Sequence, residues 1–285
     1  MNGTRGETQA FTLRLGSGEA LHGLIDFPAL DGERPAVVIC HGFKGFMEWG
    51  FFPALAELLA ERGFVAVRFN LSGTGMKPGD ELVTDPAAFA DNTHSLELAE
   101  LLAVLAAVGG EIAPGRVDRS RLGLIGHSRG GGAAVLAAAQ DGWRGRLGAL
   151  VTWAAIATVD RYSPEQKAAW RRDGELPVVN TRTGQRLSLG LPLLADLEEN
   201  AGGRLDILAA AAARTAPWLI VHGEEDESVG VSDARLLAGR AASPCELLLI
   251  PGANHTFGSR HPFAGPTPHL IQAMNATQTW FRRHL

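Results

Sequence analysis

The sequence predicts an α/β architecture: a mostly parallel, eight-stranded sheet with helices on both faces, forming a single domain over residues 1–285. Three observations lead there. Short continuous apolar runs, such as Ala36-Val37-Val38-Ile39-Cys40, have the character of strands buried on both faces. These runs alternate with helical apolar patterns across short links, the rhythm of a parallel sheet. The chain begins differently, with two alternating segments that suit an antiparallel hairpin at a sheet edge.

Element by element, the hairpin strands are expected at 8–15 and 21–27, around the turn Gly16-Ser17-Gly18. The first parallel strand follows at 36–40, and a helix at 53–62 carries Leu55, Leu58 and Leu59 behind a first-turn Pro53. A strand at 65–69 precedes a long helix at 91–108, striped by Leu98, Leu101, Leu102 and Leu105. A strand at 121–126 runs into a small-residue helix at 130–140. Strands at 147–153, 218–222 and 246–250 and a terminal helix at 268–284 complete the pattern.

One stretch breaks the rhythm. Residues 154–217, between the sixth and seventh strands, mix charge, a Thr183-Gly184 turn and a helical segment at 191–199. That length exceeds a simple crossover. It is expected to be a lid over the carboxyl edge of the sheet, where ligands bind in open α/β folds. A surface embellishment without substrate contact is the alternative.

Composition excludes several roles. Of 285 residues, 26 are basic and 31 acidic, a net charge of -5, and only three are lysines (Lys44, Lys77, Lys167). Nucleic-acid binding needs a basic excess that displaces counterions, and polybasic membrane attachment needs clustered cations. Neither pattern is present. The longest apolar stretch is too short to span a bilayer, and residues 1–20 lack the profile of a secretory signal. A cytoplasmic protein is expected. Cys40 and Cys245 are read as small buried hydrophobes rather than a disulfide pair. No metal-ligand spacing or phosphate cradle appears, and Asn70-Leu71-Ser72-Gly73-Thr74-Gly75 reads as a tight turn near the mouth of a site. No cofactor and no metal is expected.

The chemistry centres on Gly126-His127-Ser128-Arg129-Gly130, which ends a predicted strand and opens a predicted helix. A turn this tight leaves no room for side chains two before and two after the serine. It lifts the hydroxyl towards a helix N-terminus, where developing negative charge is favoured. A hydroxyl needs a base, and the base needs an orienting group. Among nine histidines, His255 lies in the loop after the last strand and is the candidate base, with His261 of the same loop as its rival. His41, His127 and His222 sit at turns and read as structural. Of the four carboxylates Glu224, Glu225, Asp226 and Glu227, Asp226 is the candidate partner for His255. Oxyanion stabilisation needs two preorganised donors. The backbone N–H groups of Arg129 and of Phe43, in the loop 41–46, are the candidates.

Together, His41-Gly42-Phe43, the Gly126–Gly130 pentapeptide, His222-Gly223-x-x-Asp226 and Asn254-His255-Thr256-Phe257 resemble the serine-dependent α/β-hydrolases over nearly the whole chain. The order Ser128, Asp226, His255 is the one that superfamily uses. Within it, the chain is similar to bacterial carboxylesterases of the cinnamoyl/feruloyl esterase and serine aminopeptidase-like group. These carry a lid between the sixth and seventh strands. It is also similar to dienelactone hydrolase relatives, which place cysteine where this chain has Ser128.

The resemblance implies hydrolysis of a small-molecule carboxylic ester through an acyl-enzyme, the acyl group being hydroxycinnamoyl or short-chain. Trp153, Tyr162, Trp170 and Phe257 are the candidate aromatic pocket residues. Two alternatives stay open: a peptidase or amidase with the same triad, and a non-enzymatic small-molecule receptor of the same fold. A homodimer is compatible with each.

Overall fold

Side-chain alternation along the strands places two apolar layers, one on each face of a central sheet. The computed structural model describes residues 6–16, 18–242 and 244–285. Residues 1–5 and Ser17, the centre of the expected first turn, lie outside them. In chain order the elements begin with β1 (Thr8–Arg14), β2 (Ala20–Asp26), β3 (Arg34–Cys40), α1 (Phe52–Glu61) and β4 (Val65–Phe69). They continue with α2 (Pro86–Asp91), α3 (His94–Ala107), β5 (Val117–His127), α4 (Arg129–Ala139) and β6 (Leu147–Trp153). Next come α5 (Pro164–Asp173), β7 (Glu175–Val179), β8 (Arg186–Gly190), α6 (Leu191–Asn200) and α7 (Ile207–Ala213). The last are β9 (Trp218–Gly223), α8 (Val231–Arg240), β10 (Cys245–Ile250) and α9 (Pro268–His284).

The main sheet has eight strands in the order β1-β2-β4-β3-β5-β6-β9-β10. β2 is antiparallel to both β1 and β4, and the other pairings are parallel. This is the predicted architecture, with the hairpin at one edge. Within β3, Val37 and Ile39 join the layer under α1 and α9, while Val38 and Cys40 join the layer under α3, α4, α7 and α8. Successive strand residues face opposite sides, so a strand covered on both faces must be apolar throughout. Burying each such Val, Leu or Ile is worth about 1.5–3 kcal/mol.

Several elements differ from the sequence expectation, each for a local reason. The helix expected at 91–108 is α3, starting three residues later, and a short helix α2 precedes it. Asn92 turns extended and ends α2, and Thr93, also extended, caps α3 with its hydroxyl accepting from the Leu96 N–H. Leu102 is half-buried, and Val104 takes its place in the buried stripe. β5 starts at Val117, earlier than expected, where Val117 pairs with Arg34 of β3, and Ser120 and Arg121 both bond the Asp118 carboxylate on its exposed end. Cys40 is buried and Cys245 half-buried, and both are free thiols.

The segment 154–217 holds α5, α6, α7 and the antiparallel pair β7–β8, with the Thr183-Gly184 turn at the hairpin tip. α5 is entered through a capping box between Ser163 and Gln166. α7 packs on α4 and therefore belongs to the helical layer of the main sheet. The extra structure proper ends before it. Among the described residues, no helix is long and apolar enough to cross a membrane.

The Thr93 cap carries a direct expectation. Thr93→Ala lowers stability by about 1 kcal/mol, measured by urea unfolding. An unchanged midpoint would show that tertiary packing alone starts α3.

Candidate active site

The site begins with a backbone that only small neighbours permit. Ser128 sits between β5 and α4 at φ 57, ψ -121, a conformation a non-glycine residue adopts under constraint. A Cβ on Gly126 would lie 2.2 Å from the Gly130 carbonyl oxygen, and a Cβ on Gly130 would lie 2.1 Å from that of His41. The two flanking glycines thus let the elbow close on itself and on the end of β3. The Ser128 N–H donates to the Trp153 carbonyl (2.8 Å), and the Ser128 carbonyl accepts from the Gly131 N–H (2.9 Å).

The loops after β9 and β10 bring two partners to this hydroxyl. His255 Nε2 lies 3.0 Å from Ser128 Oγ, and His255 Nδ1 lies 2.7 Å from Asp226 Oδ2. The other Asp226 oxygen accepts from the N–H groups of Ser228 and Val229, both at 2.8 Å. Burial pushes the Asp226 carboxyl up, but the bonds from His222, His255 and Val229 outweigh it and hold the group well below the usual carboxylate range. An ionised Asp226 fixes the tautomer of His255, leaving Nε2 free to accept the serine proton.

The rival histidines are occupied elsewhere. His261 accepts from the Gly50 N–H and meets Glu81 at 2.7 Å, away from Ser128. His222 is fully buried, donates from Nε2 to the Val229 carbonyl (2.8 Å) and lies 3.4 Å from Asp226, so it braces the acid loop. His41 accepts the Leu71 N–H. His127 donates from Nε2 to the His255 carbonyl (3.0 Å) and packs beside its ring, 4.8 Å between centroids. Burial, with the neighbouring His255, lowers the His127 pKa to about 3, so this ring is a neutral prop for the His255 loop.

The loop 41–46 closes over Ser128. A Cβ on Gly42 would be 2.9 Å from Ser128 Cβ, so this loop, which carries Phe43, runs against the elbow. The Arg129 N–H is at the open N-terminus of α4. Behind them lies a buried polar group that sequence reasoning missed. Arg129 Nε bonds Glu97 Oε2 at 2.7 Å, and Asn92 Nδ2 donates to the other Glu97 oxygen at 2.8 Å. The Arg129 guanidinium also lies over the Phe43 ring, 5.5 Å from its centroid. One side chain thus touches both segments that present candidate oxyanion donors. No local signal marks Glu97, which occurs in an ordinary helical stretch.

Ser128 and His255 open onto a cleft of about 250 Å³, walled by Phe43, Trp49 and Phe52 and by Asn180, Thr181 and Arg182 from the β7–β8 turn. The expected aromatic pocket is corrected here. Trp153, Trp170 and Phe257 have no exposed surface, and Tyr162 packs against Trp170 rather than lining this cleft. Trp153 donates to Thr277 Oγ1 (2.9 Å) and meets Phe257 edge-on at 5.3 Å. These two rings anchor the strand end and the His255 loop from below. They are core because aromatic burial depends on tertiary neighbours, which spacing does not reveal.

The profile of the alpha/beta hydrolase family matches residues 37–265, a span that takes in Ser128, Asp226 and His255. The chain belongs to that family. Solved structures agree in fold. A ferulic acid complex of Est1E from Butyrivibrio proteoclasticus superposes with a TM-score of 0.73, 23% identity and coverage of 96% of this chain and 98% of that one. A putative hydrolase from Agrobacterium vitis S4 gives 0.74, 23%, 98% and 100%. Dienelactone hydrolase from Anabaena variabilis gives 0.64, 18%, 99% and 100%. At these identities the likeness is one of fold. A curated Escherichia coli relative, the uncharacterized 31.7 kDa protein in the traX-finO intergenic region, is 28% identical over 109 residues. That match spans 38% of this chain and 34% of the relative.

Two outcomes test this geometry. Removing one partner of a buried ion pair leaves an uncompensated charge, so Glu97→Ala costs about 3–5 kcal/mol in urea unfolding. A loss below about 1 kcal/mol would show that water reaches Arg129. For His127, the unfolded ring titrates at its ordinary 6.5 and the folded ring at about 3. Between those values the unfolded chain binds a proton that the fold refuses. Stability therefore falls as pH drops below 6.5, by up to about 1.4 kcal/mol per pH unit, and His127→Asn flattens that dependence. Equal slopes in both proteins would contradict it.

Proposed function

We propose that the protein is a serine hydrolase of carboxylic esters that works through an acyl-enzyme. The observation that carries this reading is the unbroken chain Asp226–His255–Ser128, at 2.7 and 3.0 Å, ending on an open cleft. The Ser128 hydroxyl attacks the ester carbonyl while His255 Nε2 takes its proton, and Asp226 stabilises the imidazolium that forms. The N–H groups of Phe43 and Arg129 receive the negative charge of the tetrahedral intermediate. His255 then passes its proton to the departing alcohol. Water, deprotonated by the same nitrogen, releases the acid and restores Ser128.

The insertion acts as the lid of this site, since its Asn180, Thr181 and Arg182 form one wall of the cleft. A volume of about 250 Å³ favours a small ester, and the Trp49 and Phe52 walls suit an aryl or hydroxycinnamoyl group as well as a short acyl chain. Competing methyl ferulate against a short alkyl ester ranks those substrates.

The decisive variant is Ser128→Ala. It is expected to lower kcat on p-nitrophenyl acetate by about a thousandfold or more while the protein stays folded by circular dichroism. A folded variant with wild-type turnover would exclude this mechanism.

A further inference from the structure

The cleft at Ser128 is charged in one sense only. Lys44 and Arg182 line it, and no carboxylate does among the described residues. This lining runs against composition, because the chain has more acidic than basic residues and only three lysines. Random surface sampling would place acids there at least as often as bases.

Lys44 follows Phe43 at φ 60, a left-handed conformation uncommon for a residue with a side chain. Its Nζ donates once, to the Val179 carbonyl at the end of β7 (2.8 Å), and lies over the Phe43 ring at 5.1 Å. An ammonium carries three donors. Among the described residues no carboxylate pairs with Lys44, so two of its donors face the cleft available to an anionic ligand. Arg182 lines the same cleft from the β7–β8 turn. Its Nη2 donates to the Glu81 carbonyl (2.7 Å), while the Glu81 carboxylate is 3.4 Å away, mostly exposed, and shared with His261. The Arg182 guanidinium is stacked over Phe46 at 5.3 Å. The remaining donors of a planar fork suit a carboxylate.

We infer that Lys44 and Arg182 form an anion subsite of the catalytic cleft, and that the substrate is an ester bearing a free carboxylate. The inference rests on the hydrolase reading above. Ser128, Lys44 and Arg182 line the same cleft of about 250 Å³, so a small ester bound at Ser128 shares it with both cations.

The test compares mono-p-nitrophenyl glutarate with p-nitrophenyl pentanoate, which share a leaving group and acyl length and differ in the terminal carboxylate. A second pair, 3-acetoxybenzoate and phenyl acetate, moves the carboxylate to the leaving group. After subtraction of spontaneous hydrolysis, wild-type kcat/KM is expected to favour the anionic member of at least one pair by about tenfold or more at low salt. That ratio should shrink as added salt screens the cations. Lys44→Met and Arg182→Met should each lower the ratio by about fivefold, whatever they do to absolute rates. A side chain that merely ties the loop 41–46 to the hairpin would change both members of a pair alike and leave the ratio intact. Turnover of neutral esters with a ratio of one or less in both pairs, or a ratio that neither salt nor either variant moves, overturns the anion subsite and leaves the hydrolase reading standing. Absence of turnover for all four esters overturns both. The wild-type salt series stands without the variants, should either fail to fold.

Discussion

Everything at the site depends on how closely three backbones approach at the end of β3. Gly130 in α4 lies against the His41 carbonyl, Gly126 lies against Gly130, and Gly42 lies against Ser128. None of these contacts admits a β-carbon. The approach forces Ser128 into its positive-φ turn, a strain of about 1–3 kcal/mol that surrounding packing must over-determine. In return it brings the Ser128 hydroxyl within 3.0 Å of His255 Nε2 at the start of α4. Loosening any one of the three approaches would move Ser128 relative to the loop 41–46 and to α4.

The strain is opposed from both faces of the sheet. Below, Trp153 and Phe257 fill the layer under α1 and α9 and hold the strand end and the His255 loop. Behind, Glu97 holds Arg129 and Asn92, while Glu100 accepts from the Ser72 N–H at 2.9 Å. Burial pushes Glu100 up to about 7 in spite of its bonds to Ser72. Buried charges are retained at a desolvation penalty and return geometric specificity only where their lone pairs are met. Here the Glu97 carboxylate is met on both oxygens. Among the described residues, Arg129 Nη2 and Asn92 Oδ1 in the same group find no partner, so the pair ties the first turn of α4 to α3 at a partly uncompensated desolvation cost.

The legibility of this arrangement in the sequence was uneven for physical reasons. The sheet was readable because a doubly covered strand must be apolar throughout, as in 36–40 and 147–153. The meeting of Ser128, Asp226 and His255 was readable because each sits just past a strand end and few residue types can do that chemistry. The start of α3 at the Thr93 cap was missed because a capping threonine looks like any polar residue ahead of a leucine stripe. The aromatic wall was misassigned: Trp153, Trp170 and Phe257 are core, while Trp49 and Phe52, ahead of the Pro53 helix, reach the cleft. Arg182 could not be read at all. It meets Lys44's cleft only because the β7–β8 hairpin folds back over the sheet, a long-range event without a local pattern.

The central claim is that Ser128 carries the acyl group during turnover. It is tested most directly by acid-quenching the protein during steady-state hydrolysis of p-nitrophenyl acetate and sequencing its peptides by mass spectrometry. The account predicts a single acetyl group on Ser128 that forms with the release of nitrophenol and disappears when substrate is exhausted. Nitrophenol release with no acylated peptide, or with the acetyl group on another residue, would contradict it.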